Sequence, residues 1–289
     1  MSSSAAGADR YAVIGYPVSH SWSPFIHGMF ARQTEQALSY TRIEVKPENL
    51  AEDLDKFFDG GGRGLNVTVP HKQTVCLLTR YRTPRAEIAG AVNTIAAQSD
   101  GLLGDNTDGA GLVADLTRNL GFALENTRIL LLGAGGAARG VLGPLLGAGP
   151  EYLEIANRDG DRAIDLAQEF RTLGELHGCN FEGINKRHFD LILNATSASL
   201  QDKVPPIPPL AIGPTTLCYD MAYGAGDTVF TRWARTAGAG RAETGWGMLV
   251  EQAAEAFFLW RGVKPDTKPV LAAVKSQKAA ATSSPLSLL

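Results

Sequence analysis

An amide, a hydroxyl and an amine fall within seven residues of one another at Asn66, Thr68 and Lys72. They belong to the stretch Gly64-Leu65-Asn66-Val67-Thr68-Val69-Pro70-His71-Lys72. Its β-branched residues read as a short strand that must stop at Pro70, because proline has no N–H to give to a sheet ladder. Residues two apart on a strand share a face, so Asn66 and Thr68 point the same way. Lys72, just past the strand end, is long enough to reach over the same pocket. Three such groups converging on a small space suit a polyhydroxylated ligand. By themselves they also describe an edge strand with a solvated lysine, and it is the rest of the chain that weighs against that plainer reading.

Other stretches carry chemistry of their own. In Ser19-His20-Ser21-Trp22-Ser23-Pro24, Pro24 suits the first turn of a helix and Ser23 its N-cap. Ser21 and Ser23 then sit at a helix N-terminus, where hydroxyls and free N–H groups either cap the helix or receive a carboxylate. The run Arg128-Ile129-Leu130-Leu131-Leu132 leads directly into Gly133-Ala134-Gly135-Gly136-Ala137-Ala138 and a following helix. A buried strand, a glycine-rich turn and a helix form the setting of a dinucleotide fingerprint: Gly133 for the tight turn, Gly135 for close approach of a pyrophosphate, Ala138 as the third small residue. The next strand, Tyr152 to Ala156, ends in Asn157-Arg158-Asp159-Gly160-Asp161-Arg162. Arg158 and Arg162 could clamp a 2′-phosphate, with Asp159 and Asp161 offsetting part of their charge. NADP is the expected cofactor, with NAD left open; a salt-bridged surface loop is the competing reading for Arg162. A further apolar strand ends at Asn194-Ala195-Thr196-Ser197, and strand ends of this kind hold ligands in open α/β sheets.

These groups must be positioned by an α/β chain. Strand and helix patterns alternate from Tyr11 onward, with strands expected at 11–15, 40–45, 91–95 and 217–220 and helices from Pro47 to the glycines at 60–62, at 75–78, 86–89, 111–120, 228–236 and from Gly245 to Trp260. Asn93 is an interior polar residue of its strand, Asp108 lies at or near the N-cap of the 111–120 helix, and Gln252 borders an apolar helix face made by Leu249, Ala253, Ala256, Phe257 and Trp260. With 289 residues, 44% hydrophobic and 20% charged, the chain is long enough for two domains with their own cores. A net charge of −3 argues against a nucleic-acid or polybasic membrane surface. No apolar run is long enough to span a membrane. Cys76, Cys179 and Cys218 are scattered and the histidines lack metal-ligand spacing, so no metal site and a reducing compartment are expected. The first nine residues lack the apolar core of a signal peptide and read as a frayed terminus, the segment after Lys275 reads as loose, and the cytosol is the expected location.

The ordered set His20-Ser21-Trp22-Ser23-Pro24, Asn66-Val67-Thr68-Val69-Pro70-His71-Lys72, Ala91-Val92-Asn93-Thr94, Asn106-Thr107-Asp108-Gly109, the glycine turn at 133–138, Asn157-Arg158, Asn194-Ala195-Thr196-Ser197, Tyr219-Asp220-Met221-Ala222-Tyr223 and Gly247-Met248-Leu249-Val250-Glu251-Gln252 resembles the shikimate dehydrogenase family over nearly the whole chain. Members of that family reduce 3-dehydroshikimate to shikimate with NADPH, a step towards chorismate and the aromatic amino acids. The resemblance implies an N-terminal α/β substrate domain (1–108, completed by helices in 241–289), a Rossmann-type NADP domain (109–240) and a cleft between them. It also implies that Ser21, Ser23 and Tyr223 hold the substrate carboxylate. Asn66, Thr68, Asn93, Asp108 and Gln252 would bind the ring hydroxyls, and Lys72 with Asp108 would form the catalytic pair. Gly133, Ala134, Gly135, Gly136, Ala137, Asn157, Arg158, Asp159, Arg162, Thr196, Met221 and Gly245 would line the cofactor.

Two positions depart from the family pattern: Gly28 stands where Asn is common, and Asp159 where Thr is common beside the adenosine phosphate. The second bears on the strictness of NADP over NAD. A quinate-using dehydrogenase of the same superfamily and a non-catalytic sensor on the same fold are the rival readings. Retention of both Lys72 and Asp108 speaks against the sensor. Monomer and homodimer are both compatible with the sequence.

Overall fold

The computed structural model describes residues 7–185, 187–224, 226–280 and 287–288. Six strands form a mixed sheet: β1 (Asp9–Gly15), β2 (Leu38–Glu44), β3 (Gly62–Val67), β4 (Tyr81–Arg82), β5 (Thr94–Gln98) and β6 (Gly101–Asp105), in the order β2-β1-β3-β5-β6-β4. β1 lies parallel to β2 and β3, whereas β3, β5 and β6 run antiparallel in turn. The helices α1 (Ser23–Gln33), α2 (Leu50–Asp59), α3 (Lys72–Leu78) and α4 (Pro84–Ala89) interleave with these strands. Apolar residues at 50, 54 and 57 give α2 one buried stripe, and it packs with Ile14, Leu65, Val67, Val75 and Ile95 into one core.

A second sheet is wholly parallel. It contains β7 (Arg128–Leu132), β8 (Tyr152–Asn157), β9 (Leu176–Asn180), β10 (Leu191–Asn194), β11 (Leu217–Asp220) and β13 (Arg241–Thr244), ordered β13-β11-β10-β7-β8-β9. Numbered from β7, that is the 3-2-1-4-5-6 order of a doubly wound dinucleotide fold. Residues 129–132 are completely buried, which is why this strand is apolar without alternation. Three helices belong to this lobe: α6 (Gly136–Gly147), α7 (Gly160–Phe170) and α8 (Val229–Thr236). The sheets are joined by α5 (Asp108–Ala114), against which α9 (Trp246–Arg261) packs along its length; α10 (Thr267–Ala280) packs on α9 and α1. Among the described residues no helix is long and apolar enough to cross a membrane.

Several expectations are corrected. Trp22, not Ser23, occupies the cap position of α1; Ser23 is the first helical residue, and its N–H donates to Ser21 Oγ at 3.3 Å. The ladder of β3 ends at Val67, so Thr68 lies one residue beyond it, although its N–H still reaches Ile14 O at 2.9 Å. Lys72 opens α3 rather than trailing a loop. The strand expected from Ala91 begins at Thr94, because the Val92 N–H goes to the Lys72 carbonyl at 2.8 Å. The 111–120 helix starts earlier, at Asp108, and widens into a π-turn over Asp115–Asn119. There the buried Asp115 carboxylate accepts from Tyr219 Oη (2.7 Å) and Asn119 Nδ2 (2.9 Å). The chain after Lys275 continues as α10 to Ala280, and β14 (Ser287–Leu288) pairs with β12 (Ala222–Tyr223). Residues 1–6, part of the stretch expected to fray, lie outside the described residues, and Asp9 already belongs to β1.

His27 of α1 is fully buried, stacked on Tyr40 (4.3 Å between centroids, 6° between planes) and flanked by Trp260 at 5.3 Å. Burial drives its pKa down to about 3, with the nearby Asn66 amide pulling the other way. A folded pKa below the unfolded one means the unfolded chain binds the extra proton first, so stability falls as pH drops from 6.5 towards 3. His27→Phe is expected to remove about 3 kcal/mol of the stability lost between pH 7 and pH 4, measured by urea unfolding of both proteins at each pH.

Candidate active site

The strand ends, not the strand interiors, present the polar groups. A cleft of about 470 Å³ is lined by Ser21, Ser23, Asn66, Thr68, Lys72, Asn93, Asp108, Tyr223 and Gln252. These are all nine residues expected to hold substrate, drawn from positions as far apart as 21 and 252. Lys72 Nζ lies 2.5 Å from Asp108 Oδ2, with the two side chains 5% and 2% exposed. Two charges removed from water need partners beyond each other. Asp108 Oδ1 accepts from Asn93 Nδ2 at 2.7 Å, and the Asp108 N–H donates to Asn106 Oδ1 at 3.1 Å. Asn93 is itself pinned: its Oδ1 accepts from the Thr107 N–H (2.8 Å) and Thr94 Oγ1 (2.9 Å), and its Nδ2 also reaches Thr107 Oγ1 (2.9 Å) and Gln252 Oε1 (3.3 Å). Thr107 takes the cap position of α5 without a side-chain cap bond, so the Asp108 carboxylate serves the lysine rather than the helix end. Just upstream, Asp105 is gripped at both oxygens by Arg85 (2.7 and 2.6 Å). Burial works to raise the Asp105 pKa, but the Arg85 guanidinium holds it below the ordinary value.

At the other end of the cleft, Ser21 Oγ donates to Ser23 Oγ at 3.1 Å, and the Ser21 carbonyl is held by Arg42 Nε at 2.8 Å. Tyr223 stacks obliquely on Trp246 at 4.8 Å, and Trp246 meets Trp22 edge-on at 5.3 Å. Rings placed this way fix each other's planes, and Trp22, which ends the row, stands between the two serines in the chain. His20 also faces this cleft; burial lowers its pKa, and Arg42 adds to the effect.

A second cleft of about 550 Å³ opens above the parallel sheet and meets the first at Val69. It is lined by Gly133, Ala134, Gly135, Gly136, Ala137, Asn157, Arg158, Asp159, Arg162 and Thr196, ten of the twelve residues expected to touch cofactor. Gly133 has φ +107°, a conformation closed to side-chain-bearing residues, and a Cβ at Gly135 would project into open space. The first N–H groups of α6 therefore face an unobstructed cradle suited to a pyrophosphate. Among the described residues neither Arg158 nor Arg162 forms an ion pair, so the salt-bridged loop expected as the alternative for Arg162 is not formed there. The residues present fit a dinucleotide bearing an extra phosphate. Thr196 is tied to Asn194 Oδ1 through its own hydroxyl (2.7 Å), and Asn194 is tied to the buried Asp220 (3.1 Å). Met221 and Gly245 line neither cleft; both are buried and pack on each other.

The chain matches the family models described as shikimate dehydrogenase substrate binding domain (residues 13–95), shikimate/quinate 5-dehydrogenase (115–201) and shikimate 5′-dehydrogenase C-terminal domain (245–275). A protein of Aeromonas hydrophila named shikimate dehydrogenase (NADP(+)) is 57% identical over 92% of this chain and 97% of its own. The chain belongs to the shikimate dehydrogenase family. A relative from Aromatoleum aromaticum with the same name is 53% identical over 93% of this chain and 98% of its own. The crystal structure of shikimate 5-dehydrogenase from Thermus thermophilus in complex with NADP(H) and shikimate superposes with a TM-score of 0.82 at 33% identity, covering 93% of this chain and 99% of that one.

Membership in this family explains the motifs but not every contributor to the site. Thr94 and Thr107, which hold Asn93, and Lys203, Phe181 and Pro205 on the second cleft were not singled out in the sequence. Thr94 and Thr107 lie beside the motif residues Asn93 and Asp108, and that adjacency is the signal that could have found them. Among the described residues no group of three or more His, Cys, Asp or Glu is arranged to hold a metal.

The packing of α5 on α9 brings Asp108 and Gln252 to one pocket, and Gly111 makes it possible: a Cβ there would meet Gln252 N and Cβ at 2.6 Å. Because the obstacle includes backbone, Gly111→Ala is expected to destabilise the fold by about 1–3 kcal/mol, read from the denaturant midpoint.

Proposed function

We propose that this chain is an NADP-dependent shikimate dehydrogenase that reversibly reduces 3-dehydroshikimate to shikimate, within the route to chorismate and the aromatic amino acids. The observation that carries the reading is the buried Lys72–Asp108 pair in a cleft that adjoins a glycine-lined dinucleotide cradle. In this proposal NADPH, when bound, supplies the hydride. As charge develops on the ketone oxygen, the Lys72 ammonium stabilises it and delivers the proton; in the reverse direction its amine accepts the hydroxyl proton. Asp108 keeps the ammonium aimed, and Asn93 keeps Asp108 aimed. Ser21, Ser23 and Tyr223 hold the carboxylate, while Asn66, Thr68, Asn93 and Gln252 read the ring hydroxyls. Arg158 and Arg162 take the 2′-phosphate, and the 133–137 turn takes the pyrophosphate.

The same reading assigns residues 1–108 with 241–289 to a substrate domain and 109–240 to the cofactor domain. The two six-stranded sheets support the boundary at α5, but β13 (Arg241–Thr244) pairs with β11 in the parallel sheet, so the second boundary falls after Thr244 rather than at 240. It also assigns the enzyme to the cytosol, a compartment suited to Cys76, Cys179 and Cys218, all free thiols.

The deciding experiment is a steady-state matrix of shikimate and quinate against NADP+ and NAD+. The expected result is turnover of shikimate with NADP+ at the highest kcat/KM; absence of shikimate oxidation would overturn the assignment. Lys72→Ala is expected to lower kcat about 10²–10⁴-fold while shikimate binding, followed by calorimetry, weakens far less. Full turnover by that variant would remove Lys72 from the chemistry. Arg158→Ala is expected to raise KM for NADP+ about 10- to 100-fold with little change for NAD+. Equal effects on the two cofactors would exclude a phosphate clamp at this position.

A further inference from the structure

Asn66 stands on the wall of the first cleft, and its amide is held from behind by a residue outside that wall. Tyr40, on β2, donates its phenol proton to Asn66 Oδ1 at 2.7 Å. The Asn66 Nδ2 protons are both turned into the protein, towards Thr94 Oγ1 at 3.1 Å and the Asn93 carbonyl at 3.4 Å. An amide has two N–H donors and two acceptor lone pairs. Three of the four are engaged in hydrogen bonds; the second lone pair of Oδ1, near the His27 ring but not bonded to it, is the one left over. Asn66 therefore offers the cleft an acceptor, and the ligand group it selects is a hydroxyl that donates.

We propose that Tyr40 is a positioning residue for the reaction, fixing the amide of Asn66 so that its oxygen faces the substrate hydroxyl. The inference rests on the dehydrogenase reading above. The two ends of an amide have nearly the same shape, so packing alone does not choose between them. The Asn93 carbonyl, which can only accept, and Thr94, whose proton goes to Asn93 Oδ1, draw Nδ2 inward, and the Tyr40 phenol then anchors Oδ1. The phenol ring is clamped, stacked on His27 at 4.3 Å and 6°, with Trp260 at 6.3 Å. Burial raises the Tyr40 pKa well above its ordinary value, against the pull of the Ser23 hydroxyl, so the phenol keeps its proton throughout the working pH range.

The test is Tyr40→Phe, which removes one oxygen and leaves the stacked ring. KM for shikimate is expected to rise about tenfold, the loss of one well-placed hydrogen bond. kcat, its pH profile, KM for NADP+ and the melting temperature should stay close to wild type. In an Asn66→Ala background the same substitution should add nothing, because Tyr40 acts through Asn66. An unchanged KM in an enzyme that turns shikimate over would overturn the inference, and so would an undiminished effect in the Asn66→Ala background or parallel losses in melting temperature and cofactor affinity. A ligand-free readout separates this from the assignment of the reaction. The side-chain amide protons of Asn66, assigned in a ¹⁵N spectrum by their loss in Asn66→Ala, should exchange faster with solvent in Tyr40→Phe. If wild type fails to oxidise shikimate, the reaction assignment falls, and the amide signals alone decide: protons unaffected by Tyr40→Phe would overturn the positioning role.

Discussion

A lysine ammonium and an aspartate carboxylate 2.5 Å apart, both nearly out of water, are the constraint around which this fold is built. Burying either charge alone would be prohibitive, and burying both is tolerable only where further hydrogen bonds satisfy what the pair leaves over. The chain meets that demand with polar residues whose bonds run to one another. Asn93 bonds Asp108, Thr107 and Thr94 bond Asn93, and Asn106 holds the Asp108 N–H. Gly140 of α6 completes the enclosure, since a Cβ there would press on Asn106 and Asp108 at 3.0 Å. The helix that starts at the nucleotide cradle is thus packed directly against the acid of the ion pair.

That contact explains why the lobes meet where they do. α5 leaves the mixed sheet at Asp108 and packs along α9, which returns from the parallel sheet with Gln252. Both clefts open at the carboxyl ends of their strands and share Val69. A flat molecule lying across Val69 has the ion pair on one side and the glycine turn on the other. Pre-assembled polar groups of this kind need little reorganisation as charge develops, which is the main electrostatic advantage a protein has over water.

Much of this was legible in the chain. The unbroken apolar run 129–132, followed by glycines and a helix, specifies a buried parallel strand and a phosphate turn because burial on both faces and positive φ each permit few residue types. The polar residues of the motifs were assembled into a site by their ordered resemblance to the shikimate dehydrogenase family, since one by one they also fitted a cap, an edge strand or a core-edge amide. Local details were less secure. Trp22 took the cap expected of Ser23, and Asp115 widened a helix that its pattern would have left regular. The first reflects a local competitor, the Ser21–Ser23 pair two residues apart, and the second a tertiary partner, Tyr219, 104 residues away.

Residue types and their order by themselves determined the α/β alternation and the dinucleotide turn, because these follow from periodicity and backbone permissiveness within short windows, while the two lobes and the set of polar site groups came from the ordered family resemblance. Tertiary structure alone decided which of those groups meet. Lys72 finds Asp108 across 36 residues and Asn93 finds Gln252 across 159, contacts set by how α3, α5 and α9 pack rather than by any local pattern. It also decided which way each amide points, since that depends on partners such as Tyr40 brought in from another strand.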